Sequence, residues 1–163
     1  MPTTAARTEL VKKEIDRLAA TARTPDELMQ GMVRKLNERM LKYNWVGFYM
    51  LENQPGQPEV LVLGPFVGAM TPHTRIPLNQ GICGAAASSG KTLVVQDVNS
   101  DPRYLACSIE SKSEIVVPVS VRGKVVGELD IDSHSPAAFG PEDQELVEHC
   151  ARVLGKHLEK FRR

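Results

Sequence analysis

From Ser113 the residues alternate between two faces. Ile115, Val117, Val119 and Val121 fall on one face of an extended segment, and Glu114, Val116 and Ser120 fall on the other. After Arg122-Gly123 the alternation resumes, with Val125, Leu129 and Ile131 on one side and Val126, Glu128, Asp130 and Asp132 on the opposite side. The pattern predicts a β-hairpin. Antiparallel partners share a face, so the apolar sets meet only if Val121 pairs with Val125. That leaves Arg122-Gly123-Lys124 as the loop, with Gly123 free to take a positive φ. In this register Glu114 sits opposite Asp132, Asp130 lies two residues along on the same face, and Cys107 enters from the preceding loop.

The remaining pattern supplies a scaffold. Leu10, Val11, Ile15, Leu18 and Ala22 fall at helical spacing within residues 4–22. Thr24-Pro25-Asp26-Glu27 reads as a capping box with Pro at the first helical position, opening a helix that carries Leu28, Met29, Met32, Val33, Leu36 and Met40 inward. Residues 45–51 are rich in strand formers, and the Pro and Gly of residues 53–58 stop them. The next strand is expected over 59–63, ended by Gly64-Pro65, with a short strand around 74–76. Gly81-Ile82-Cys83-Gly84 opens a short helix that Gly90 closes, and 92–96 form a further strand. Residues 97–106 are polar and read as a loop over a site. Gly140-Pro141-Glu142-Asp143 starts a last helix whose stripe is Leu146, Val147, Cys150, Val153, Leu154, Leu158 and Phe161.

Helices therefore fall mainly at the two ends of the chain around a mostly antiparallel sheet, an α+β architecture. With the helices on the apolar sheet face, the acidic face becomes the floor of a pocket roofed by the loops near His73, Cys83 and Cys107. At 163 residues the chain is expected to be a single domain, 1–163. Lys plus Arg equals Asp plus Glu, 20 each, so no net field favours nucleic acid or an anionic membrane. No apolar run reaches the roughly 20 residues of a membrane span, and the N-terminus lacks a signal peptide's apolar core. The expectation is a soluble cytoplasmic protein. Three cysteines are too few for a disulfide framework, and a single Trp argues against a base-stacking platform.

Clustered carboxylates repel one another, so one of Glu114, Asp130 and Asp132 should hold its proton to higher pH than a free carboxyl group and serve as a proton donor. The bland alternative is an ordinary solvated strand face made of Glu128, Asp130 and Asp132. Cys150 lies inside a helix stripe and reads as a buried small hydrophobe. Cys83 is either a packed thiol under a glycine turn or a reactive one at a helix start. His149 and His157 fall near helix surface positions, solvated or pairing with helix-end groups, and His134 follows the hairpin closely enough to reach the acids. A metal site from His73, Cys83 and Cys107 is a weaker reading, since no paired Cys-x-x-Cys or closely spaced His motif supports it.

Asn44-Trp45-Val46-Gly47-Phe48-Tyr49, Leu61-Val62-Leu63-Gly64-Pro65-Phe66, Arg75-Ile76-Pro77, Gly81-Ile82-Cys83-Gly84, Ala106-Cys107, Ser113-Glu114-Ile115-Val116 and Leu129-Asp130-Ile131-Asp132-Ser133 occur here in one order and spacing. In these residues the chain resembles GAF domains and, among them, the free methionine-(R)-sulfoxide reductases. The resemblance implies a six-stranded antiparallel sheet with helices on one face. It also implies reduction of free methionine-(R)-sulfoxide without a bound cofactor, thioredoxin as the usual reductant, and a homodimer. It implies Cys107 as the attacking thiol, Glu114, Asp130 and Asp132 as the acids that hold the sulfoxide, and Trp45 as an aromatic wall near its methyl group. One position departs from the family. His73, in a segment one residue longer than usual, stands where the usual resolving cysteine would be, which leaves Cys83 as the candidate resolving thiol. Tyr104-Leu105-Ala106-Cys107-Ser108 also replaces the usual His-Ile-Ala-Cys-Asp. The alternative reading is a non-catalytic GAF domain that kept the pocket and senses a small molecule.

Overall fold

The computed structural model describes residues 3–104 and 110–161. Its elements are α1 (Thr4–Thr21), α2 (Pro25–Arg39), β1 (Trp45–Glu52), β2 (Val60–Val67), β3 (Arg75–Pro77), α3 (Gly81–Ser89), β4 (Leu93–Val95), a 3₁₀ turn (Val98–Ser100), β5 (Ser113–Val121), β6 (Lys124–Ser133) and α4 (Pro141–Glu159). α1, α2 and α4 start where their capping chemistry places them. The Thr3 side chain accepts from the Ala6 N–H and that of Thr24 from the Glu27 N–H, while Asp143 reaches back to the Gly140 N–H. The Thr24 box is only half reciprocal, because the Glu27 carboxylate takes the Arg23 N–H one residue further out.

The strands form one antiparallel sheet of six, in the order β3-β2-β1-β6-β5-β4, so β2, β1, β6 and β5 are interior. Alternation along these strands creates two apolar layers. Val46, Phe48, Ile115, Val117, Val119, Leu129 and Ile131 meet α2 and α4, and α1 packs outside on those two helices. The opposite face carries Trp45, Tyr49, Leu61 and Val116 against Ile82, Cys83, Ala86 and Ala87 of α3. The helix-covered face and the α+β class match the sequence expectation, and α3 closes the second face.

Two local expectations are corrected. The strand beginning near residue 59 does not stop at Gly64-Pro65 but continues to Val67. Gly47 pairs with Phe66 and Tyr49 with Leu63, so Phe48 alone faces Gly64 and Pro65 in a bulge. A bulge beyond the reach of β3, which pairs only with Val60, Leu61 and Val62, accommodates a residue with no N–H. The β5–β6 turn is Arg122-Gly123 alone, with φ of 52° and 78°, and Val121 pairs with Lys124 rather than Val125. A bulge between Val119 and Ser120 on the ladder restores Val119 to Gly127 and Glu114 to Asp132. The expected register therefore holds at the acidic end and is one residue off at the turn. The bulge also exchanges two faces: Val126 joins the helix-side core and Val125 the α3 side.

Candidate functional site

The interior strands assemble the site by cross-strand pairing. Glu114 of β5 lies opposite Asp132 of β6, Val116 opposite Asp130, and on the other flank Trp45, Gly47 and Tyr49 of β1 lie opposite Asp132, Asp130 and Glu128. Period-two alternation puts Glu128, Asp130 and Asp132 on one face. That face is not solvated: all three are 0% exposed and Glu114 is 4% exposed. The solvated-strand alternative is thereby overturned, because α3 lies over the acids.

From α3, the Cys83 thiol donates to Asp130 Oδ2 at 3.4 Å. Tyr49, His73, Ile82, Cys83, Glu114 and Asp130 border a cavity of about 10 Å³, room for a single water or ion. Trp45 lies on the same sheet face, stacked on Phe66 with centroids 5.7 Å apart and on Tyr49 at 6.2 Å. Its indole N–H donates to the Ala69 carbonyl at 3.0 Å. The ring covers Gly47, where a Cβ would stand 2.4 Å from a ring carbon, so only glycine fits beneath it. Tyr49 donates its hydroxyl to the His73 carbonyl at 2.8 Å, tying the roof segment to β1.

Burial sets the protonation states. It pushes the Glu114 carboxyl well above the usual carboxylate range, and the Asp130 and Asp132 charges push it further the same way. Asp130 is raised by burial too, against the opposing pull of hydrogen bonds from Glu114 and Cys83. Glu114 therefore keeps the proton and donates it toward Asp130. Burial also lifts Glu128 well above its ordinary value, against the pull of the Cys83 thiol. The Cys83 thiol is held up by burial first, and then by Asp130, Glu128 and Glu114. The arrangement can donate a proton from a buried acid, and it favours any cation that enters.

Of the residues singled out from sequence, Glu114, Asp130, Asp132, Cys83 and Trp45 are brought into this neighbourhood. Cys107 lies outside the described residues. His134 does not reach the acids; it is half-exposed, with its ring 3.7 Å from Glu110. His149 lies 2.7 Å from Asp16. His157 is buried, not solvated, with Nε2 3.3 Å from the carbonyl of Ala22 at the end of α1. Cys150 is fully enclosed in the helix-side core, as expected of a small hydrophobe, and burial raises its thiol to about 12. The sequence reading missed Glu128 as part of the cluster and Tyr49 as part of its wall. Both were visible as same-face neighbours, two residues from Asp130 and four from Trp45.

The six-stranded antiparallel sheet with its flanking helices defines the GAF class of domains, and the GAF domain family model matches residues 24–158; the chain belongs to that family. Within it, the chain is similar to the free methionine-R-sulfoxide reductase of Escherichia coli, 38% identical over 123 residues that span 76% of this chain and 71% of that one. It is also similar to the enzyme of the same name from Saccharomyces cerevisiae, 42% identical over 114 residues, 69% of this chain and 62% of the yeast protein. The X-ray structure of the free methionine-R-sulfoxide reductase from Neisseria meningitidis, in complex with its substrate, superposes with a TM-score of 0.89 at 36% identity, covering 98% of this chain and 92% of that one. No helix among the described residues is long and apolar enough to cross a membrane.

Proposed function

We propose that this protein is an oxidoreductase that reduces free methionine-(R)-sulfoxide to methionine, as a single GAF domain, acting in the cytoplasm as a homodimer with a thioredoxin-type dithiol as reductant and no bound cofactor. The observation that carries this reading is the buried trio Glu114, Asp130 and Asp132 beside the Trp45 wall, in a chain similar to enzymes of that name. A sulfoxide oxygen leaves sulfur readily only when protonated, and a buried carboxyl that keeps its proton supplies that proton. Glu114 is the acid. Asp130 and Asp132 hold the substrate, their negative charge facing its ammonium group, and Trp45 packs against its methyl group.

Cys107 is the nucleophile. Its sulfur attacks the sulfoxide sulfur, the oxygen passes to Cys107 as a sulfenic acid, and methionine leaves with its sulfur reduced by two electrons. A second thiol then condenses with the sulfenic acid, releasing water and forming a disulfide that the external dithiol reduces. Cys83 is the internal candidate for that second thiol. Its raised pKa, in a nest of carboxyls, makes it a slow one, which favours direct attack by an external thiol.

The test is turnover of the purified R and S epimers with dithiothreitol and with thioredoxin. Turnover of the R epimer, abolished in Cys107→Ser and lowered at least about a hundredfold in Glu114→Gln, is expected from the loss of nucleophile and general acid. Turnover of neither epimer with either reductant leaves a GAF domain that binds a small molecule without reducing it.

A further inference from the structure

Cys83, Glu114 and Asp130 bring one donor atom each, a sulfur and two carboxylate oxygens, to within 4.8 Å of one another, and all three residues are buried. The same three side chains border the cavity of about 10 Å³ under α3. That volume suits one water or one ion. A separate observation indicates what the space would hold. Glu128 is 0% exposed, neither of its carboxylate oxygens makes a well-formed hydrogen bond, and the Cys83 thiol is the neighbour that pulls on its carboxyl. Asp130 Oδ1 is likewise enclosed without a partner. Buried acceptors are nearly always satisfied. Several unsatisfied ones around a thiol and a small void mark a place where a cation fits.

We infer that Cys83, Glu114 and Asp130 form a binding site for a divalent transition-metal ion of borderline softness, such as Zn²⁺, with Glu128 next to the sulfur. A thiolate among the ligands selects Zn²⁺ or Co²⁺ over the hard ions Mg²⁺ and Ca²⁺. Three protein ligands leave a fourth tetrahedral position for water. On binding, the thiol and the protonated acid release their protons to solvent, and the ion replaces them as the positive charge in the cluster. The donor set differs from the His73, Cys83 and Cys107 combination that the sequence alone offered. The site stands on its own geometry. Only one consequence rests on the reductase reading: Zn²⁺ and the sulfoxide then compete for Glu114 and Asp130, so Zn²⁺ inhibits and a chelator restores turnover.

The test is titration of the full-length, fully reduced protein with Co²⁺, followed by displacement with Zn²⁺. One Co²⁺ per chain should bind and give a thiolate-to-cobalt charge-transfer band in the near ultraviolet, which Zn²⁺ abolishes and Mg²⁺ leaves unchanged. The band should survive in Cys107→Ser and vanish in Cys83→Ser. Glu128→Gln should keep it while weakening affinity about 10–100-fold, as loss of an outer-shell partner does. A wild type without the band, or a band lost in Cys107→Ser, overturns the site, as does one retained in a folded Cys83→Ser. Should Cys83→Ser not fold, Cys107→Ser alone decides, because Cys150 is enclosed in the helix-side core and Cys83 is then the remaining thiol, the one that borders the cavity. Turnover enters none of these readouts. A protein that binds Co²⁺ through Cys83 yet reduces no sulfoxide keeps the site and loses the reductase reading.

Discussion

Glu128 is a costly side chain in the cluster, a carboxyl with no exposure and no well-formed hydrogen bond. Its folded-state pKa lies above the ordinary value of 4.5. Between those two values the folded chain holds a proton that the unfolded chain has released, so stability is fully present below the unfolded pKa and is lost as pH rises through the folded one. Glu114 and Asp130 act in the same direction. In metal-free protein, melting temperature should therefore fall as pH rises above the ordinary carboxylate range. Glu128→Gln should fall less and exceed the wild type at the alkaline end by about 1–3 kcal/mol, or about 2–4 °C per kcal/mol. A parallel pair of melting curves would contradict this account. Trp45 offers a second test at this scale. Gly47→Ala pushes a methyl into the indole and should cost about 1–3 kcal/mol. If Trp45 walls the sulfoxide's methyl group, KM for the sulfoxide should rise more than kcat falls. The sequence made Glu114, Asp130 and Asp132 legible because alternation alone puts them on one face. Alternation cannot distinguish a buried face from a wet one, and Glu128 and Tyr49 went unread because their burial is imposed by α3 and the roof segment.

At the scale of elements, the β5–β6 hairpin joins a correct expectation to an incorrect one for a physical reason. The acids fix the register at one end through burial, while turn chemistry fixes it at the other. A two-residue turn and a three-residue turn differ by one position, and the bulge beside Ser120 absorbs the difference. Arg122 sits at φ 52° ahead of Gly123 at φ 78°, the left-handed pair that an Asn-Gly turn adopts with less strain. Arg122→Asn should raise stability by about 0.5–1 kcal/mol, part of the cost of a left-handed non-glycine residue. Sulfoxide turnover should be unchanged, since the bulge separates the turn from the acids. Pro65 teaches the same lesson at β2. Proline reads as a strand terminator until a neighbouring bulge provides a place that needs no N–H. Helix boundaries were more legible because capping is local: Thr24-Pro25 and Gly140-Pro141 mark the starts of α2 and α4 within the segments themselves.

For the molecule as a whole, the question is whether α1, which precedes the family match at residue 24, belongs to the same cooperative unit. Val11 and Ile15 are buried in the helix-side core together with Leu146, Val147 and Leu154. Two polar contacts add to them: His149 meets Asp16 at 2.7 Å, and His157 meets the carbonyl that ends α1. The proposed single domain has a sharp consequence because the chain's one Trp lies across the sheet in the α3-side layer. Trp45 fluorescence therefore reports the site layer, while far-ultraviolet circular dichroism is dominated by the helices. Ile15→Ala removes atoms from a position with 0% exposure and should cost about 2–5 kcal/mol. In one cooperative unit both probes lose the same amount of stability at the same midpoint, although Ile15 and Trp45 occupy different layers. If the dichroism midpoint falls while the Trp45 transition stays in place, α1 and its layer unfold separately, and the boundaries 1–163 give way to a GAF core with an appended helix.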